Sequence, residues 1–173
     1  MSDSFRSIGY QAETALLELA DLLQTGPVLR VYHRFWKPGT ECLPGEEVWA
    51  ISLVHQGREF RLPLTLALRL LLNYLATTRH VPQSATQIAA GIRRSPFCAK
   101  HGMNSGICSR RKIARSAIKE YIKRLRTALL VAFREAGLSL DPARVLVSRA
   151  TAGNEVQYQL VSRIEVVHVS EAD

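Results

Sequence analysis

Eight lysines and arginines fall between Ser109 and Leu129, in the stretch SRRKIARSAIKEYIKRLRTAL, against one acid, Glu120. Guanidinium and ammonium groups at that density neutralise a polyanion and release its counterions. The rest of the chain does not share the excess. Residues 1–92 hold eight basic and eight acidic residues, residues 127–173 four and six, and residues 93–126 eleven and one. The formal charge of +8 therefore originates in one short region. A charged face that serves only solubility needs no such segregation, whereas a polyanion site does.

The same stretch carries apolar residues at helical spacing. At about 100° per residue, Lys112, Arg115, Lys119, Lys123 and Arg126 share an arc of about 80°. Ala114, Ala117, Ile118, Tyr121, Leu125, Ala128, Leu129 and Ala132 take the far side. Ser109 suits an N-cap and Gly137 a stop. The spacing predicts a helix over about 110–136, with one face in a core and a basic ridge opposite. Such a helix fits the major groove of duplex DNA. There Lys112, Arg115, Ser116 and Lys119 are expected near base edges, and Lys123 and Arg126 at phosphates. Arg110 and Arg111 stand at the helix start. Arg93, Arg94 and Lys100, in the preceding loop, are expected to add contacts. For Arg124 and Arg126 the plain alternative is surface ion pairing.

Cys98, His101 and Cys108 form a second constellation, in the loop RRSPFCAKHGMNSGIC over 93–108. Thiolate and imidazole are zinc ligands, but a fourth ligand is missing nearby, and His80, His33 or Cys42 would have to fold in. The neighbouring Arg94, Lys100, Arg110 and Arg111 favour thiolate, so a regulatory disulfide is a second reading. Ordinary loop cysteines are the third and favoured reading, and no metal or cofactor is expected. No phosphate-binding glycine loop, paired buried carboxylates or Ser/His/Asp set is present. Glu46 and Glu47 read as a solvated loop, and Tyr121 lies on the apolar side, away from any recombinase chemistry. The chain is therefore not expected to be an enzyme.

These residues need a scaffold, and the chain of 173 residues is long enough to bury a core. QAETALLELADLLQ (11–24) has helical spacing and stops at Gly26-Pro27. Strands are expected at 28–36, 47–55 and 59–63, with a tight turn at 55–58. Leu64–Thr77 reads as an apolar helix. Ser84 and Gln87 make a capping box for a short helix over 85–92. LSLDPAR (138–144) reads as a loop. Residues 144–150 and 155–161 read as strands around the turn TAGN, and 163–169 as a further strand. No apolar run reaches transmembrane length, no signal peptide opens the chain, and three cysteines suit a reducing compartment. A cytoplasmic location, with no membrane contact, is the expectation.

The order of small sheet, two helices, basic helix and hairpin resembles a winged helix-turn-helix, and in particular the effector domain of the OmpR/PhoB response-regulator family. Arg69, Leu70, Leu71, Leu75, Val81, Ser84 and Ile88 match the family's first two helices. Ile122, Arg124, Leu125, Arg126 and Leu129 match the end of its recognition helix. Arg149, Gly153, Tyr158 and Leu160 match its wing. The likeness covers about 45–165. It departs from the family in a longer loop before the basic helix and in having no receiver domain, so phosphorelay control is not implied.

The resemblance implies an α+β fold with a small N-terminal antiparallel sheet, a three-helix core and a C-terminal β-hairpin wing over 27–173. Residues 1–26, outside the resemblance, are expected to hold an N-terminal helix whose Leu16, Leu19 and Leu23 stripe either folds onto its own domain or pairs with a second copy as a dimerisation element. The implied function is a sequence-specific, double-stranded DNA-binding transcriptional regulator of the bacterial nucleoid. A homodimer is expected because one winged helix contacts few bases, and RNA polymerase is a candidate further partner. Arg149 and Asn154 on the wing are expected at the DNA backbone or the adjacent minor groove. An RNA-binding module and a winged-helix protein-interaction module are the alternatives. The lack of aromatic residues among the basic ones disfavours single-strand stacking.

Overall fold

The computed structural model describes Leu17 and residues 20–34, 48–94 and 115–169. Leu17 and residues 20–25 (α1) are helical, and the helix ends where the Gly26 N–H donates to the Leu22 carbonyl at 3.0 Å. Pro27 then starts extended chain. β1 (Val28–Arg34), β2 (Val48–His55) and β3 (Arg58–Arg61) follow as antiparallel neighbours. Gln56 and Gly57 both have positive φ and make the expected tight turn between β2 and β3. Period-two alternation buries Leu29, Val31, Ile51 and Leu53 on one face. Arg30, Tyr32 and Glu59 form a polar network on the other.

The buried face is covered by α2 (Leu66–Thr77), which turns Leu68, Leu71, Leu72 and Leu75 inward. A two-residue strand, β4 (Gln83–Ser84), leads into α3 (Ala85–Arg94). The capping box forms as expected: the Ser84 N–H donates to Gln87 Oε1 at 2.8 Å, and the Gln87 N–H donates to Ser84 Oγ at 3.2 Å. The long helix α4 (Arg115–Glu135) closes the core with Ile118, Ile122, Leu125, Leu129 and Phe133, all fully buried. It ends at Gly137, whose φ of 72° lets the Leu138 N–H return to the Phe133 carbonyl at 2.7 Å and its own N–H to the Arg134 carbonyl at 3.1 Å. That bond pair is a Schellman stop.

Two expectations are corrected. The loop expected over 138–144 contains a single helical turn, α5 (Pro142–Val145). Asp141 caps it, accepting from the Ala143 N–H at 2.8 Å, and proline at the first helical position costs no hydrogen bond there. The first sheet is mixed rather than antiparallel. After the hairpin of β5 (Leu146–Ala150) and β6 (Val156–Leu160), β7 (Arg163–Val169) lies parallel to β1, in the order β3-β2-β1-β7. Both strands leave from one end: Ser162 Oγ donates to the Pro27 carbonyl at 3.2 Å and Arg163 Nη2 to the Gly26 carbonyl at 2.7 Å. The parallel pairing follows from that shared start, because the chain between the two strands is one long crossover. The second sheet is β4-β6-β5. Among the described residues no helix is long and apolar enough to cross a membrane.

Candidate nucleic-acid interface

The basic residues of α4 owe their position to how the helix is rotated in the core. Its buried arc is Ile118, Ile122, Leu125, Leu129, Ala132 and Phe133. Compared with the arc expected from sequence, this one is turned by about 50° toward the basic stripe. The cause is size: Ile122 and Phe133 bury more apolar area than Ala117 and Ala128, which end up half-buried. The ridge therefore lies about a quarter-turn from the core instead of opposite it, on the side facing the β5–β6 hairpin.

That rotation gives the cations different surroundings. Ser116, Lys119 and Lys123 are exposed. Arg126 is half-buried and occupied by the hairpin. Its Nε and Nη2 donate to the Leu146 carbonyl at 3.0 and 2.6 Å, and Nη2 also donates to Ser148 Oγ at 3.0 Å. The phosphate contact expected of Arg126 thus competes with a fork that fixes hairpin to helix. Arg124 pairs with Glu120 at 3.2 Å across one helical turn, the plain reading for that residue.

The hairpin is anchored at two further points. β4 pairs with β6, Gln83 opposite Tyr158 and Ser84 opposite Gln157. Gln159 Nε2 donates to the Arg79 carbonyl at 2.8 Å, beyond the end of α2. Tyr158 is buried, and burial pushes its phenol up despite the opposing charge of Arg126. The phenol therefore stays neutral near pH 7. At the tip the Asn154 N–H donates to the Thr151 carbonyl at 2.9 Å, and the Thr151 N–H donates to the Glu155 carbonyl at 2.8 Å. Asn154 has a φ of 57°, so it closes the turn as well as being exposed. Arg149 is exposed on β5.

The structure thus brings Lys119, Lys123, Arg126 and the hairpin to one side of the molecule. Arg93 and Arg94 end α3 and Arg115 begins α4, with side chains outside the described residues. Lys100, Arg110, Arg111 and Lys112, together with Cys98, His101 and Cys108, lie wholly outside them. Neither Ser148 nor Gln159 is among the site residues expected from sequence. Ser148 was accessible in principle, since alternation along β5 puts it on the face of Leu146. The Gln159 bond joins residues 80 positions apart, and nothing local signals it. No protein-family model, curated protein or solved structure matches the chain.

Proposed function

We propose that the protein is a sequence-specific double-stranded DNA-binding transcriptional regulator of winged-helix type, with α4 in the major groove and the β5–β6 hairpin as the wing. The carrying observation is the division of α4: one arc is fully buried, and Lys119 and Lys123 stand exposed beside a hairpin that Arg126 fixes to the same helix. Such a helix is held rigidly while its cations stay accessible, which groove reading requires. The order α2, β4, α3, α4, hairpin and the pairing of β4 with β6 support the winged-helix reading. Arg115, Ser116 and Lys119 are assigned to base edges, Lys123 to phosphate and Arg149 to the backbone beside the wing.

A gel shift with duplex DNA, single strands and RNA at two salt concentrations is the test. The duplex is expected to bind best. Lys119→Ala is expected to lose about 1–3 kcal/mol of specific binding, with folding unchanged. Equal binding by Lys119→Ala, Arg115→Ala and the parent chain overturns the assignment of α4. The regulator is further proposed to act as a dimer through its N-terminal helix, since one winged helix contacts few bases. Leu17 and Leu23 of that helix are exposed. A single monomeric species in sedimentation at micromolar concentration, with or without duplex, contradicts the dimer.

A further inference from the structure

Between α4 and the hairpin lies a pocket of about 490 Å³, the size range of small-ligand sites. Part of its wall is apolar: Ile122 and Tyr158 are buried, and Val156 is half-buried. Its rim is cationic, with Lys119, Lys123 and Arg126. No ion pair joins these three to an acid among the described residues. The one carboxylate on the lining, Asp141, is engaged as the cap of α5. A duplex phosphate needs the cations but leaves such apolar walls wet. A neutral hydrocarbon would use the walls and leave the cations idle.

We propose that this pocket binds a small amphiphilic anion, an aromatic or aliphatic body bearing one carboxylate or sulfonate. The body lies against Ile122, Val156 and Tyr158, and the charge meets Lys119 and Lys123. Those lysines also belong to the face assigned to DNA, so anion and duplex exclude each other and the ligand acts as a release effector. That second part rests on the DNA-binding reading, whereas the pocket itself does not. Reciprocity follows: bound duplex weakens the anion by the factor by which the anion weakens duplex.

The test is a fluorescence titration of the full chain with 8-anilino-1-naphthalenesulfonate, beside its neutral parent N-phenyl-1-naphthylamine. The sulfonate is expected to bind saturably, one per chain, and at least about tenfold tighter than the parent, a difference of about 1.4 kcal/mol. Thr127 is exposed on the pocket lip and bonds only its own helix, Oγ1 to the Lys123 carbonyl at 3.2 Å. Thr127→Trp fills the pocket and is expected to abolish binding. Val131→Trp, one turn further on and outside the pocket, is expected to bind as the parent chain does. Lys119→Ala with Lys123→Ala is expected to erase the preference for the sulfonate over the neutral parent. Absence of saturable binding, or binding by Thr127→Trp equal to that by Val131→Trp, overturns the pocket. Dye that binds without displacing bound duplex overturns the effector role. A chain that binds dye but no duplex at all leaves the pocket standing and overturns the DNA reading instead.

Discussion

Lys123 and Arg126 stand three positions apart on one flank of α4, and their surroundings divide their roles. Lys123 is exposed, so Lys123→Ala should change folding stability by no more than about 0.5 kcal/mol. Arg126 holds the first carbonyl of β5 with two donors. A hydrogen bond from a charged donor to a partly buried acceptor is worth about 1.5–3 kcal/mol. Arg126→Ala should therefore cost about 2 kcal/mol, and Arg126→Lys should recover only part of it, because an ammonium cannot fork. Urea melts of the three variants check this, and equal midpoints for Arg126→Ala and Lys123→Ala would refute the division. On the face of the first sheet away from the core, Arg30 is held by Glu59 at 3.0 Å and Glu165 at 2.8 Å, and Tyr32 donates to Glu59 at 2.5 Å. Partial burial alone would raise the Glu59 carboxyl, but hydrogen bonds from Tyr32 and Ser52 and the charge of Arg30 outweigh it and hold the group below the usual carboxylate range. A lowered carboxylate stabilises above its unfolded pKa, near pH 4, and loses that contribution as pH falls through the folded value. Glu59→Gln should thus cost up to about 1 kcal/mol at pH 7, given its exposure. The difference from the parent chain should shrink as pH falls through the folded value, below about pH 4. A difference that stays constant across an acid titration of stability would show that the charge of Glu59 plays no part.

Helix α3 reaches its place through a missing side chain. Gly91 faces Tyr74 of α2, and a Cβ built there would lie 2.3 Å from the ring carbons and the hydroxyl. The Tyr74 hydroxyl is itself tied, donating to Gln83 Oε1 at 3.1 Å, so the ring cannot move without breaking that bond. Gly91→Ala gains helix propensity of about 1 kcal/mol but should lose more to overpacking, typically about 1–3 kcal/mol. Pairing it with Tyr74→Leu should return much of the loss. Thermal melts of the single and double variants decide this, and a stabilised Gly91→Ala would mean that α2 and α3 can separate freely. Sequence patterns carried much of this level, because they are local. The Ser84/Gln87 box, the His55–Arg58 turn, the Gly137 stop and the alternation in β1 and β2 all depend on near neighbours. The rotation of α4 was less legible. Equal weight on every apolar position puts Ala117 and Ala128 on its buried arc, whereas the core selects by volume and takes Ile122 and Phe133 instead. The turn at Pro142–Val145 lies in a stretch that reads as a loop, although Asp141-Pro142 carries its start signal. The site was legible as a cluster of cations, but the distinction between exposed Lys123 and engaged Arg126 depends on a carbonyl 20 residues away.

The two sheets become one molecule through β7. Residues Val161 and Ser162 carry the chain from the hairpin sheet to the first sheet, where β7 pairs with β1 over Val28–Arg34. This contact spans 135 residues for Arg30 and Glu165, and no periodicity in the sequence distinguishes a parallel partner from an antiparallel one. It closes the chain on itself, so every element from β2 to β6 forms inside the loop it makes. Ending the chain after Ser162 would unpair one whole side of β1 and remove the bonds of Arg163 to Gly26 and Glu165 to Arg30. At about 0.5–1.5 kcal/mol for each backbone bond lost, that approaches the whole stability of a domain this size, about 5–15 kcal/mol. The truncated chain is expected to melt without a sharp transition and to lose the proposed duplex binding, although Lys119, Lys123 and the hairpin stay in the sequence. Circular dichroism melts of truncated and full chains, with gel shifts at equal concentration, test the dependence. A truncated chain that melts as cooperatively as the full one would show that helices and hairpin hold the cationic face without the first sheet. The parallel strand would then be an attachment to the binding unit and not the closure that makes it fold.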